Sequence, residues 1–238
     1  MLPMIARLLA LGAAVLVLIS LAQGWAPTRW MRTFWERHGG YLRWYVASAP
    51  GTCIYVGILA VTTWVLLGMP EHAKDLFLAA QSTNLEHLTR DPLRVLVRSA
   101  FFVSGTELLL WGALFLVFLA PAERWLGTGR ALVVFATGHI VATLLTAWGV
   151  YARIRWFHGP ESLWNVQDTG ASYGFMALAG IMVYRLRGWN RAALLTVLLG
   201  VVVYGFLPGT GFTATGHSFA VMVGLSLYPL TRRPEVRT

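Results

Sequence analysis

The sequence is poor in charged residues and in thiols. Asp, Glu, Lys and Arg make up 12% of its 238 residues, about half the share found in a typical soluble domain. Lys74 is its single lysine and Cys53 its single cysteine. One cysteine excludes an internal disulfide and a metal site built on several cysteines. The scarcity of charge argues against a soluble globular domain.

Apolar residues stand where the charge is missing. Hydrophobic side chains form 57% of the chain, and the mean hydropathy is +0.61. A helix needs about 20 residues to cross the bilayer core, and seven apolar stretches approach that length. They lie at roughly 8–23, 51–68, 95–120, 130–151, 169–184, 192–207 and 212–230. Because their connectors are too short for a separate soluble domain, the sequence predicts an all-α integral membrane protein.

The basic residues outnumber the acidic ones by 19 to 10. In a soluble chain this excess would indicate nucleic-acid binding, but in a membrane protein Lys and Arg mark the cytoplasmic loops. One alternating set of connectors holds twelve basic residues and the opposite set holds six. The twelve are Arg29, Arg32, Arg37, Arg43, Arg124, Arg130, Arg185, Arg187, Arg191, Arg232, Arg233 and Arg237. We therefore expect a multi-pass protein in a lipid bilayer, with a cytoplasmic C-terminus and no nucleic-acid partner.

The N-terminal apolar stretch has two interpretations. Arg7 followed by an apolar run that ends near Ala22 is typical of a secretory signal peptide. Cleavage there would leave the four arginines of 24–50 outside, against the usual distribution of positive charge. We therefore expect a retained first helix whose N-terminus lies outside.

The segment 28–37 has an aromatic face and a charged face. On a helix, Trp30, Met31, Phe34 and Trp35 fall on one side, and the charged residues fall on the other. This pattern predicts a helix lying on the inner leaflet, with tryptophan at the level of the headgroups. A plain cytoplasmic linker is the alternative.

Ionisable side chains within the apolar stretches are few. An ionisable group costs a few kcal/mol to insert at the centre of a span, so each one is a functional candidate. They are Arg98, Glu107, His139 and His217, with Asp168 at a helix edge; Ser172 and Thr143 add neutral hydroxyls.

Ser172 and His217 are expected at similar depth. The stretches 169–184 and 212–230 both enter from outside, which places Ser172 roughly 5 Å and His217 roughly 8 Å inside at about 1.5 Å per residue. Small residues line both stretches and permit close helix approach. An imidazole within reach can accept a hydroxyl proton while the oxygen attacks a carbonyl. The structural alternatives are a serine bonded to its own helix and a histidine that only joins two helices.

Three motifs together resemble the rhomboid intramembrane serine proteases. Residues 170–178 (GASYGFMAL) are similar to the GxSGxxxAL signature of that family's fourth core helix. Residues 217–224 (HSFAVMVG) are similar to its HxxGxxxG on the sixth helix, and 123–130 (ERWLGTGR) to the turn between its second and third helices. The resemblance covers roughly 95–230.

This resemblance implies a fold, a site and a location. The fold is a six-helix transmembrane bundle over 51–231, preceded by an extra membrane helix and an interfacial segment in 1–50 and followed by a cytoplasmic tail, 232–238. The segment 69–94 corresponds to the family's membrane-dipping first loop. Ser172 is implied as the nucleophile and His217 as its base, acting on transmembrane protein substrates in a bacterial cytoplasmic membrane.

The sequence departs from the family pattern at several positions. The family carries HxxxN near the outer end of its second helix, but Glu107 and Trp111 stand there. The stretch 95–120 is too long for one straight span, so we expect its first ten residues to belong to the loop, which leaves Glu107 near the outer end of the helix. Glu107 could donate a hydrogen bond if desolvation kept it protonated, or it could orient His217. Tyr173 replaces a glycine, and its ring could crowd the space that a scissile carbonyl needs.

Three functions follow from these residues. The first is a protease that uses Ser172 and His217, supported by Gly170, Asp168 and Glu107. The second is a catalytically silent relative that binds membrane-protein clients. The third is a transporter or ion-binding protein that uses Glu107, His139 and His217, although His139 has a simpler explanation as a helix brace through Glu107 or Thr143. No span contains HExxH, so we expect no metal and no cofactor.

Overall fold

The chain folds into helices joined by short turns. Its computed structural model describes residues 2–23, 29–103, 108–166, 168 and 171–232, and no strand occurs among them. The predicted all-α class is confirmed. Contacts divide the chain into two units, Met1–Pro50 and Gly51–Thr238.

The first unit contains two helices, α1 (Leu2–Gln23) and α2 (Arg29–Ser48). α2 extends eleven residues beyond the amphipathic segment predicted at 28–37. The glycines at its centre do not end it, because the indole of Trp35 packs over Gly39, one turn further along. A Cβ at Gly39 would lie 3.1 Å from that ring, so the glycine accommodates the tryptophan.

The second unit begins with one long helix and three short ones. These are α3 (Pro50–Leu66), α4 (Glu71–Ala80), α5 (Leu85–Arg90) and α6 (Pro92–Ser99). The side chain of Asn84 caps α5 by accepting from the His87 amide, and Asp91 caps α6 by accepting from the Arg94 amide. The segment predicted as a loop is therefore helical over most of its length.

The remaining helices form the larger part of the bundle. They are α7 (Leu108–Leu114), continued by a π-helical turn (Phe115–Leu119) and α8 (Ala120–Leu126), then α9 (Thr128–Phe157), α10 (Ala171–Met182), α11 (Gly188–Gly205) and α12 (Phe212–Ser226). Since α6 ends at Ser99 and α7 begins at Leu108, the start of the apolar stretch 95–120 belongs to the loop region, as predicted.

Several of these helices can cross a bilayer. Within the described ranges, three are both long and apolar enough: Leu108–Leu126, Thr128–Phe157 and Gly188–Gly205. α10 has only 12 residues, about 18 Å at 1.5 Å per residue, and so it is shorter than the hydrocarbon core. All its residues except Met176 are buried. α10 is thus the central helix of the second unit.

A buried carboxylate joins the start of α3 to the end of α8. Glu123 accepts hydrogen bonds from the backbone amides of Gly51 and Thr52, at 2.8 and 2.7 Å. It also accepts from the hydroxyls of Thr52 and Thr128, both at 2.7 Å. The carboxylate therefore satisfies two of the amides that the first turn of a helix leaves unpaired.

Candidate active site

Ser172 and His217 are hydrogen-bonded to each other. Ser172 is the second residue of α10 and is 7% exposed, and His217 is the sixth residue of α12. The distance between Ser172 Oγ and His217 Nε2 is 2.8 Å, a normal length for such a bond. The hydroxyl therefore bonds across two helices rather than to a carbonyl of its own helix, which was the structural alternative for the serine.

Glycines allow α10 and α12 to approach at backbone distance. A Cβ on Gly180 would lie 2.7 Å from the carbonyl oxygen of Val221, and one on Gly224 would collide with the backbone of Ala177. Close packing of small residues is a common way for helices to associate in lipid. It explains how a short serine side chain reaches an imidazole on the neighbouring helix.

Tyr173 lies inside the contact between these two helices. Its side chain is fully buried, and its ring meets the His217 ring edge-on, with centroids 5.4 Å apart and planes at 82°. A Cβ on Gly216 would collide with the phenol. The glycine of α12 therefore provides room for the ring within the helix interface, and whether the ring also crowds a scissile carbonyl stays a prediction.

Asp168 connects the first loop to the start of α12. Its amide donates to Ser82 Oγ at 2.7 Å, and its carbonyl accepts from the Thr83 amide at 2.9 Å. Its carboxylate accepts from the hydroxyls of Thr83 and Thr213, at 3.2 and 3.4 Å. Burial raises the pKa of Asp168 from 3.8 to about 6, and the hydroxyls of Tyr173, Thr83 and Thr213 partly oppose that rise.

The Tyr173 hydroxyl extends this polar cluster toward the dyad. It is buried next to Asp168, Thr146 and Thr213, and it helps to stabilise the Asp168 carboxylate. Asp168 and His217 thus contact opposite ends of one tyrosine. The sequence had marked Asp168 as a candidate supporting residue at a helix edge, without identifying its partners.

Ser82, Thr83 and Thr213 are the residues of this cluster that the sequence did not reveal. Gln81, Ser82, Thr83 and Asn84 form a run of four polar residues between α4 and α5, and all four are buried. Such a run is ordinarily a solvated turn. Its polarity was visible in the sequence, but its burial was not.

His139 braces α9 against α6. Its Nε2 lies 2.8 Å from the Leu96 carbonyl oxygen and 3.3 Å from Ser99 Oγ. The predicted partner Thr143 is therefore wrong, and the Thr143 hydroxyl has no hydrogen-bond partner within the described part of the chain. One turn of α9 separates the two residues, and the imidazole reaches the neighbouring α6 instead.

Two of the expected supporting residues, Glu107 and Gly170, lie outside the described residues. Trp111 is described and packs among aromatic rings, 5.8 Å from Phe115 and 5.7 Å from Phe175 between centroids. Over the described ranges no carboxylate is hydrogen-bonded to His217. The same ranges contain no group of three His, Cys, Asp or Glu side chains placed to hold a metal ion.

The arrangement can support nucleophilic chemistry. It contains a hydroxyl bonded to an imidazole, at the start of a short helix whose first amides have no partner within the helix. The imidazole is positioned by an aromatic ring, and that ring borders a buried carboxylate. These features match the residues on which the sequence resemblance depends.

Comparison with known proteins adds a family. No curated protein and no solved structure matches the chain. A family model described as "Rhomboid-like protein" matches residues 44–237. This match covers most of the chain, including every helix from α3 to α12. The chain is therefore a multi-pass membrane protein that belongs to the rhomboid-like protein family.

Proposed function

We propose that this chain is an intramembrane serine protease with Ser172 as nucleophile and His217 as general base. The observation that carries the proposal is the 2.8 Å hydrogen bond between Ser172 Oγ and His217 Nε2. Both residues lie in the first two turns of their helices. If these helices enter from the outer face, cleavage occurs near the extracytoplasmic end of a transmembrane segment.

The reaction requires Nε2 of His217 to be an acceptor, with the ring proton on Nδ1. Nε2 takes the proton of the Ser172 hydroxyl as the oxygen attacks the scissile carbonyl carbon. The imidazolium then gives that proton to the leaving amine, and an acyl ester forms on Ser172. Water hydrolyses the ester in a second round in which His217 again acts as base.

The developing oxyanion needs hydrogen-bond donors. The first backbone amides of α10 are suited to this task, because they have no partner within the helix and lie at its positive end. Trp111 provides no side-chain amide where the family carries asparagine. Glu107 is proposed as a supporting residue, either as a protonated donor or as an acid that orients His217. Glu107→Gln removes only the second role.

The remaining proposals concern the membrane, the orientation of the chain, its substrates and its N-terminal segment. We propose a bacterial cytoplasmic membrane, a cytoplasmic C-terminus and transmembrane proteins as substrates. We also propose that 1–50 is a membrane helix followed by an interfacial helix. Trp30, Phe34, Trp35 and Trp44 are all exposed on α2, and Arg43 lies over the Trp35 ring at 5.6 Å, a composition typical of helices at the headgroup level.

A second candidate is a silent rhomboid-like protein that binds membrane-protein clients without cleaving them. The aromatic packing of Trp111 favours it, because that position then contributes to the core and not to oxyanion binding. The two candidates share a fold and differ in whether the Ser172 hydroxyl reacts.

Reactivity of Ser172 separates these candidates. The full chain in liposomes is treated with a fluorophosphonate, which phosphonylates activated serines, and cleavage of reconstituted transmembrane substrates is followed by mass spectrometry. We expect labelling and cleavage by the unmodified chain, neither by Ser172→Ala, and a loss of roughly 10³-fold or more in rate for His217→Ala.

Ser226→Ala is the matched control, because Ser226 is exposed on the same helix as His217 and bonds only its own helix at Val223. It should label and cleave like the unmodified chain. Labelling that persists in Ser172→Ala would refute the assignment of the nucleophile. A folded, unmodified chain that neither labels nor cleaves would establish the silent alternative.

A further inference from the structure

A long apolar cavity lies within the second unit, on a different side of α9 from Ser172 and His217. Its volume is about 480 Å³, and α3, α6 and α9 provide most of its walls. Neither Ser172 nor His217 lines it. Leu93, Val97 and Leu132 on its rim are exposed, so the cavity faces the surroundings of the bundle.

The polar side chains on the cavity wall are already engaged. Thr52 and Thr128 donate to Glu123, the Tyr55 hydroxyl donates to the Ala100 carbonyl at 2.6 Å, and His139 bonds the backbone of Leu96. A water molecule needs two to four polar partners to be stable in a cavity. The wall therefore favours an apolar occupant over water or a polar ligand.

The dimensions fit one hydrocarbon chain. The wall follows α9 from Thr128 to Ile140, which is about 18 Å at 1.5 Å per residue. A volume of about 480 Å³ spread over that length suits a long, linear apolar group such as an acyl chain.

Two arginines lie beside the apolar rim on α6. At 100° per residue, Leu93 and Val97 occupy one side of α6, and Arg94 and Arg98 follow immediately around the helix. All four are exposed. The ion pairs of the described chain, Lys74–Glu71 and Arg90–Glu86, involve neither Arg94 nor Arg98. Asp91, the nearest acid in sequence, accepts from the Arg94 amide as the helix cap.

We propose that this cavity binds an anionic phospholipid, with one acyl chain along α9 and the phosphate at Arg94 and Arg98. Arginine recognises phosphate through paired, charge-assisted hydrogen bonds. Leu93 and Val97 lie between the arginines and the cavity, where a lipid passes from headgroup to tail. The proposal does not depend on proteolysis, since the dyad takes no part in it.

Retention of lipid by the full chain tests the proposal. The chain is reconstituted in vesicles of phosphatidylglycerol and phosphatidylcholine in equal amounts, extracted in mild detergent and weighed by native mass spectrometry. We expect one retained phosphatidylglycerol per chain. Arg94→Gln with Arg98→Gln should weaken that binding roughly 30-fold, at about five-fold per charge, and abolish the preference over phosphatidylcholine.

Two further variants test whether the acyl chain of the lipid lies in the cavity. Ala136→Phe fills the cavity and should abolish the retention of both phosphatidylglycerol and phosphatidylcholine. Leu93→Gln with Val97→Gln should also reduce retention, and it leaves the core intact because these side chains are 78% and 61% exposed. Arg153→Gln with Arg155→Gln is the matched control, since both arginines are exposed near the end of α9, beyond the part of that helix that lines the cavity, and it should retain the lipid.

Three results would overturn the proposal. The first is an unmodified chain that carries no phosphatidylglycerol after extraction. The second is undiminished retention by both tail variants. The third is displacement of the lipid by a transmembrane peptide, which would make the cavity a client site.

Discussion

The smallest side chains of α12 decide the geometry of the dyad. Gly216 leaves room for the phenol of Tyr173, and the Tyr173 ring contacts the His217 ring edge-on. Because His217 follows Gly216 directly along the helix, any displacement of the tyrosine changes the position of the imidazole relative to Ser172. A glycine that bears no reactive group is therefore part of the site.

Gly216→Ala should destabilise the fold and separate the dyad. The added methyl overlaps the phenol, and overpacking of this kind costs about 1–3 kcal/mol. We expect a lower free energy of unfolding in detergent and weaker fluorophosphonate labelling. The same substitution made in a Tyr173→Ala background should cost less, because the colliding ring is gone.

Gly200→Ala on α11 is the control for helix propensity, since no described atom outside its own helix lies within 4 Å of a Cβ there. It should be neutral or stabilise slightly. An equal cost for Gly216→Ala with and without Tyr173 would show that the phenol is not the obstacle.

The buried Asp168 makes stability depend on pH. Its pKa is 3.8 in an unfolded chain and about 6 in the folded one, so between these values the folded state holds a proton that the unfolded state has released. The free energy of unfolding should therefore fall as pH rises through this window, by roughly 3 kcal/mol at most. Asp168→Asn should remove that slope, measured by denaturant titration in micelles between pH 4 and 7.

Asp75→Asn is the comparison for this experiment, because Asp75 is an exposed acid on α4. The free energy of unfolding of Asp75→Asn should depend on pH as that of the unmodified chain does. If Asp168→Asn retained the full slope, the dependence on pH would belong to another group.

Among whole elements, α10 and α3 illustrate two ways to position a helix. α10 is too short to span the bilayer core, and it is held by nearly complete burial between its neighbours. α3 is held at its first turn by Glu123, whose carboxylate replaces the missing helical acceptors for the Gly51 and Thr52 amides. The first arrangement is apolar and the second is polar, and both set the height of a helix in the bundle.

Glu123→Ala should destabilise the second unit by about 3 kcal/mol or more, since it leaves buried donors without acceptors. The loss is measured as the free energy of unfolding in micelles. The free energy of unfolding of Glu123→Gln should lie between those of the unmodified chain and Glu123→Ala, because an amide oxygen can accept from some of the donors. Glu161→Ala, which alters an exposed acid, should change little; a comparable loss for Glu161→Ala would refute the capping role.

For the molecule as a whole, the uneven distribution of positive charge predicts the orientation of the chain in the membrane. Twelve basic residues lie in one set of connectors and six in the other. We predict that alkaline phosphatase fused at the C-terminus is inactive in bacterial cells and that a fluorescent protein fused there emits. Fusion within 158–166 should give the reverse pattern. Active phosphatase at the C-terminus would invert the proposed topology and place Ser172 near the cytoplasm.

The family and the hydrogen-bonded pair Ser172 and His217 could be inferred from the sequence because local signals carry them. Hydropathy averaged over a window of helix length indicates that lipid surrounds the chain. Regularly spaced small residues around Ser172 and His217 indicate that their helices pack closely. The extent of α2 was underestimated because the contact of Trp35 with Gly39 carries the helix through two glycines.

Partners that are distant in the chain could not be inferred in this way. His139 was expected to brace helices through Glu107 or Thr143, but it bonds the carbonyl of Leu96, 43 residues away. Asp168 bonds Ser82 and Thr83, 86 and 85 residues away. The sequence shows that a buried polar residue needs a hydrogen-bond partner, but the identity of that partner depends on which elements pack beside it.

The sequence by itself determined that lipid is the solvent and that the fold is helical, because composition and periodicity are properties of the linear chain. Its motifs pointed to Ser172 and His217 through their resemblance to a family. Only the tertiary structure decided that Tyr173 fits against Gly216, that the first loop is tied to Asp168 and that an apolar cavity opens between α3, α6 and α9. These features depend on the separation and rotation of packed helices, which no single stretch of sequence encodes.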